Sequence, residues 1–229
     1  MKTLKKIVLI ISSFILLPIF TPAKAQIIIS EVMSNENGTQ TYNNDWFELT
    51  NTGTSAVNIT GWTMDDNSNS FANSVALREV TSIAAGQSVV FVEGNTSGSN
   101  DATVQGKFET SWFGTNVPSG FTIGGYGGSG VSLGSTGDSV NIFDSTGTLV
   151  TRVDFGAATA GVSFDNSAGL NNTTISTLSA VGTDGAFTAP SGEVGSPGVV
   201  PEPSTLSLLM LVGGMAAAFG IWKRKNATA

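Results

Sequence analysis

Gly130-Val131-Ser132-Leu133-Gly134 has the G-x-S-x-G spacing of a nucleophile elbow, in which a serine hydroxyl is held out on a sharp turn between a strand and a helix. That chemistry needs a base to take the serine proton, and the chain contains no histidine. Lys107 is the only lysine between residues 26 and 199, so a Ser-Lys pair would depend on it alone. Gly134-Ser135-Thr136-Gly137 also stands where the helix of an elbow would begin. The spacing is read as coincidence. Gly125-Tyr126-Gly127-Gly128-Ser129-Gly130 satisfies G-x-G-x-x-G, but a dinucleotide site needs a following helix whose amino terminus meets the pyrophosphate, and none is predicted. A flexible glycine loop is the expected structure there.

Asp65, Asn67 and Asn69 offer oxygens at alternating positions, as in the first half of a calcium loop. Ser70 then stands where an EF-hand requires glycine, and Ala76 where it requires its bidentate glutamate. An Asx-rich turn is the preferred reading, and calcium at these residues the weaker one. No other cofactor is expected. The absence of both histidine and cysteine removes the commonest general base, the commonest transition-metal ligand and all thiolate chemistry. Carboxylates remain, sixteen of them between residues 26 and 199, enough for some pair to fall at glycosidase spacing, roughly 5–9 Å. No catalytic residue is assigned from that count, and a histidine-free carboxylate hydrolase acting on matrix glycans is the enzymatic alternative. Trp46, Trp62 and Trp112, with Phe47, Phe91, Phe113 and Tyr126, serve either a core or the faces of sugars. Core packing is preferred for all, with exposure most plausible at Trp112-Phe113.

The elements that would position these groups are strands. Short apolar runs separated by Gly, Ser, Thr and Asn clusters predict an all-β body, with strands near 27–34, 45–51, 57–64, 88–93, 104–109, 139–144 and 148–155. Asp144-Ser145-Thr146-Gly147 predicts a hairpin turn between the last two. No sustained 3.6-residue apolar period is read between the chain's ends, so no helix is expected there. Pattern alone leaves a sandwich and a barrel both open.

The two ends read as addresses. Lys2, Lys5 and Lys6 precede an apolar run at 7–20, and Ala23-Lys24-Ala25 places small residues, Ala23 and Ala25, where a signal peptidase cuts. Residues 1–25 are expected to be a signal peptide, with mature protein starting near Gln26. At the other end Val200-Pro201-Glu202-Pro203 is followed by an apolar run and then by Lys223-Arg224-Lys225, a cationic stop. Residues 205–222 as a helix span roughly 27 Å, enough for one membrane crossing. Between the two signals only three basic residues face sixteen acids, a net charge of −13, which argues against nucleic acid as a partner. Without cysteine the body must stand on its core, with no disulfides.

The carboxy-terminal layout resembles the PEP-CTERM sorting signal of Gram-negative bacteria. The resemblance implies processing by the membrane protease exosortase, delivery to the cell envelope, outer surface or extracellular matrix, and a link to exopolysaccharide. Within the body, Ile28-Ile29-Ser30-Glu31-Val32, Asp45-Trp46-Phe47-Glu48-Leu49-Thr50-Asn51 and 57–65 resemble the opening of the lamin-tail domain, and 83–92 and 137–144 its later strands. That resemblance implies an immunoglobulin-like β-sandwich over 26–156, with Glu31, Asp45 and Glu48 hydrogen-bonded inside it. Residues 95–133 are then an insertion, expected as a long loop. Residues 157–199 are expected to add an edge strand at 176–181 and, from Ala189, a Gly/Ser/Pro spacer, with the sorting unit at 200–229. The expected function is a non-catalytic exported module for adhesion, scaffolding or exopolysaccharide association. A permanently anchored, periplasm-facing structural protein is the remaining alternative.

Overall fold

A computed structural model of the chain describes residues 27–36, 42, 45–166 and 173–199. In chain order these form β1 (Ile27–Met33), β2 (Trp46–Asn51), β3 (Val57–Asn58), β4 (Thr63–Asp65), β5 (Val75–Ala76), β6 (Ser82–Ile83) and β7 (Ser88–Gly94). One helix, α1 (Asp101–Phe113), precedes β8 (Ile123–Gly127), β9 (Asp138–Phe143), β10 (Leu149–Phe155), β11 (Phe164–Asp165), β12 (Thr174–Ile175), β13 (Phe187–Thr188) and β14 (Val194–Gly195). The expected signal peptide and the expected span at 205–222 lie outside the described residues, among which no helix is long and apolar enough to cross a membrane.

Two five-stranded sheets face each other, ordered β11-β1-β2-β7-β8 and β12-β10-β9-β4-β5. Alternation supplies the core between them: Ile29, Phe47, Leu49 and Phe91 from the first sheet meet Met64, Val140, Ile142 and Val153 from the second, with Trp62 closing one side. The hairpin at Asp144 forms as predicted, because its Oδ1 accepts from the Thr146 and Thr148 amides while Gly147 adopts φ 83°. The single strand predicted at 57–64 is instead two. Gly61 turns the chain at φ 76°, so β3 pairs with β6 while β4 joins the second sheet.

The insertion at 95–133 is not a loop. It is a β-α-β crossover in which β7 and β8 lie parallel with α1 between them. The strand predicted at 104–109 is therefore part of a helix, and its apolar residues belong to a stripe of one per turn: Val104, Phe108 and Trp112 are buried. Asp101 in the first turn suits the helix dipole, and Gly114 at φ 63° ends the helix with its amide on the Thr110 carbonyl. The stripe covers Met33, Trp46, Val90 and Val92 on the outer face of the first sheet, forming a second core. This explains why β1 and β2 are buried on both faces.

Glycines in β8 mark close approach. A Cβ on Gly124 would meet the Arg78 carbonyl oxygen at 2.6 Å and the Phe91 ring at 2.8 Å. Gly124→Ala is expected to cost about 1–3 kcal/mol by overpacking, read as a lower urea midpoint; an unchanged midpoint would mean this backbone is not held against Arg78.

The segment after β10 also departs from expectation. Residues 176–181 form no strand and touch β11 through one bridge at Leu178, while the edge pairing belongs to Thr174–Ile175, parallel to β10. Residues from Ala189 onward are no spacer: β13 and β14 form a hairpin, and Glu193, Gly195 and Ser196 are buried. Composition suggested a solvated linker, but the glycines serve contact with the sheet, where a Cβ on Gly195 would meet Glu31 at 2.6 Å and Trp112 at 2.8 Å. We call 187–199 the strap.

Candidate functional site

Ser132 sits in a loop, its hydroxyl oxygen 2.8 Å from both a Glu93 carboxylate oxygen and the Gly128 carbonyl, the two acceptors open to its one proton. Val131 and Leu133 beside it are core residues, so the G-x-S-x-G spacing serves packing. The G-x-G-x-x-G run begins in β8 and leads into turns rather than a helix. At the predicted calcium loop, Asp65 is buried and its Oδ2 accepts from the Ser68 hydroxyl and the Ser70 amide, both at 2.7 Å. Asn67 and Asn69 are exposed, and Asn69 adopts φ 47°. One carboxylate oxygen thus organises the turn that the sequence favoured. We expect titration with millimolar calcium to give no binding heat; saturable heat lost in Asp65→Asn would restore the metal reading. The sorting residues Val200, Pro201, Glu202 and Pro203, the stop Lys223, Arg224 and Lys225, and the cleavage residues Ala23 and Ala25 lie outside the described residues.

Among the described residues, Glu31 and Glu48 form a carboxylate pair closed to solvent. Glu31 on β1 stands directly opposite Glu48 on β2, and both are 1 % exposed. Glu31 accepts from the Ser163 hydroxyl at 2.5 Å and the Ser196 amide at 2.8 Å; Glu48 accepts from the Ser30 hydroxyl at 2.7 Å and the Gly198 amide at 2.5 Å. Burial above all pushes both well over the ordinary carboxylate range, and Coulombic repulsion from Glu48 adds to it at Glu31. Glu193 of the strap accepts from the Tyr42 hydroxyl at 2.8 Å, and Tyr42 in turn accepts from the Trp112 indole at 3.2 Å, tying strap to helix.

Asp45 lies at the other end of β2. Its Oδ2 accepts from the Leu133 amide at 2.9 Å, and burial, then Glu93 and Glu36 nearby, raise its pKa to about 8. A raised carboxyl stabilises the fold fully below its unfolded value, near 4, and loses that contribution as pH rises through about 8. Asp45→Asn should therefore flatten the fall in Tm between pH 5 and 9; an equally steep fall in the variant would remove Asp45 as its source.

Where the strap ends, a cleft of about 380 Å³ opens, walled by Phe113, Pro118, Phe121, Phe187, Pro197 and Val199. Phe113 and Phe121 meet edge to face at 4.8 Å, and Trp112 braces Phe187 from behind at 5.9 Å. Sequence reading missed this site, because its walls come from the helix, the loop after it and the strap. Of its walls, only Phe113 carries a sequence-based expectation of meeting sugar.

A two-sheet sandwich is the arrangement that the opening motifs implied, and the family model for the Lamin Tail Domain matches residues 21–157. The chain belongs to the lamin tail domain family. Lamin-tail domains are non-catalytic, immunoglobulin-like modules. A second family model, the PEP-CTERM protein-sorting motif, matches residues 199–225. It marks this lamin-tail protein for export to the cell envelope or surface of a Gram-negative bacterium, with processing by exosortase. No curated protein matches the chain. Neither family model covers 158–198, so most of the strap lies between the two.

Proposed function

We propose that this lamin-tail protein is a non-catalytic component of the bacterial surface or extracellular matrix that associates with exopolysaccharide, its adhesive or scaffolding role resting on the aromatic cleft. The single observation that carries this reading is the set of phenylalanine faces gathered at the carboxy-terminal end of the sandwich, around about 380 Å³ of open space. Aromatic faces hold the apolar faces of sugars. The net charge of −13 between residues 26 and 199 favours a neutral glycan over an anionic one. The carboxylates support a structural role, since those of Glu31, Glu48 and Asp45 accept hydrogen bonds from the sandwich's own amides and hydroxyls.

The test is incubation of the purified protein with exopolysaccharide from its host. Retention without shortening of the glycan is expected, and Phe121→Ala should weaken that retention. Chain shortening lost with one carboxylate substitution would replace this reading with a hydrolase.

A further inference from the structure

Three carboxyl groups stand in one row across the first sheet: Asp165 on β11 is opposite Glu31 on β1, which is opposite Glu48 on β2. All three are buried, and the cations of the body are engaged elsewhere or exposed. Arg78 holds Asp101, Arg152 holds Asp154, and Lys107 faces solvent on α1. What closes over Glu31 and Glu48 is the strap. Its Ser196 amide and hydroxyl reach Glu31 at 2.8 and 3.2 Å, and its Gly198 amide reaches Glu48 at 2.5 Å. Gly198 does this at φ 80°, a conformation that a side chain would strain. One residue further, the Ser88 hydroxyl donates to the Val199 carbonyl at 3.1 Å. The match to the sorting motif begins at that same residue. The folded domain therefore grips the chain up to the start of its sorting signal.

Two buried acids without a cation are a poor permanent glue, because apolar residues of similar size would hold the strap with no charge to desolvate. They suit a contact that has to come apart. We propose that the Glu31–Glu48 pair is the catch of an opening strap: protonated, it holds residues 187–199 on the first sheet; ionised, it releases them. Release removes Phe187, Pro197 and Val199 from the wall of the aromatic cleft, and converts the residues ahead of the sorting motif into a free tether. One event thus changes both the cleft and the reach between domain and membrane.

The direction with pH follows from the surroundings of the pair. The groups that face it are its own two members and Asp165, all acidic. From the strap, Glu193 is turned away to Tyr42 and Ser191, and burial raises it in the same sense. From α1 the neighbour is the Trp112 ring, packed over Gly195, and from β7 the Ser88 hydroxyl. The strap's Ser196 and Gly198 amides and the Ser30, Ser88 and Ser163 hydroxyls favour the anions, but burial outweighs them, so the carboxyls keep the strap closed at low pH and release it as pH climbs above the ordinary carboxylate range.

Hydrogen exchange on the full chain in detergent micelles tests this, with protection corrected for intrinsic exchange and β9–β10 as internal reference. Each group contributes up to tenfold per pH unit, so protection at Ser196 and Gly198 should fall about 100-fold or more between pH 6 and 9. Measured in an Asp45→Asn background, which removes that residue's pH-dependence of the whole fold, the β9–β10 hairpin should change by less than about threefold over the same range, since local opening leaves the rest of the fold protected. Glu31→Gln with Glu48→Gln should keep the strap protected at pH 9, because the Ser30, Ser163 and Ser196 hydroxyls can rotate to accept from the new amides. Either single substitution should shrink the fall to about tenfold. Protection that is flat with pH, or lost in strap and hairpin together, overturns the proposal whether or not the variants fold. Opening in the double variant equal to that of the native chain overturns it too.

Discussion

Trp112→Ala is expected to lower unfolding stability by about 3–5 kcal/mol, the range for deleting a fully buried large aromatic side chain. Trp112 has no exposed surface and sits at the centre of the outer layer, edge-on to Trp46 at 5.5 Å and to Phe187 at 5.9 Å. It also abuts Gly195 of the strap and donates to Tyr42, which holds Glu193. Its loss should uncover the outer face of the first sheet and unseat the strap together. Urea denaturation gives the magnitude, and strap exchange the place. A cost under about 1 kcal/mol would be that of a surface position and would mean that helix and strap are an accessory to a sandwich stable without them.

Arg78→Ala should cost about 3 kcal/mol or more by leaving Asp101, 3 % exposed, without its counter-charge. The guanidinium grips Asp101 through Nε at 2.6 Å and an Nη at 2.8 Å, and also donates to the Asn95 carbonyl. Its backbone bridges to Gly125 of β8. One residue thus fastens the start of α1 and the glycine strand to the loop after β5. Adding Asp101→Leu should recover much of the loss, because the buried charge is then gone. A double variant no more stable than Arg78→Ala would place the arginine's contribution in its backbone and packing instead.

The parts of this fold that were legible in the sequence are those with local causes. The Asp144 turn carries its own hydrogen-bond acceptor and its own positive-φ glycine, and from Val150 to Phe155 the strand after it alternates half-buried and buried residues. The parts that were not legible depend on what the chain meets in space. Val104, Phe108 and Trp112 give one apolar residue per helical turn, too sparse a stripe to outweigh Gly106 and the threonines around it, until the outer face of the first sheet supplies its partner. Gly124 and Gly125 read as loop because their lack of side chains looks like freedom; here it makes room for Arg78, Phe91 and Asp101. The strap misled in the same way, since its glycines meet buried carboxylates whose position nothing nearby in sequence announces. The aromatic cleft, assembled from segments far apart in the chain, could not have been read from any of them singly.

The lamin-tail sandwich is expected to be exported and cut from its sorting tail. The intact mass of the protein recovered from its native envelope or medium addresses this directly. A chain that starts near Gln26 and ends near Pro201, with or without an added group, is the predicted result. A mass that retains every residue through Ala229 would contradict it and leave a single-pass protein whose sandwich never departs from the inner membrane.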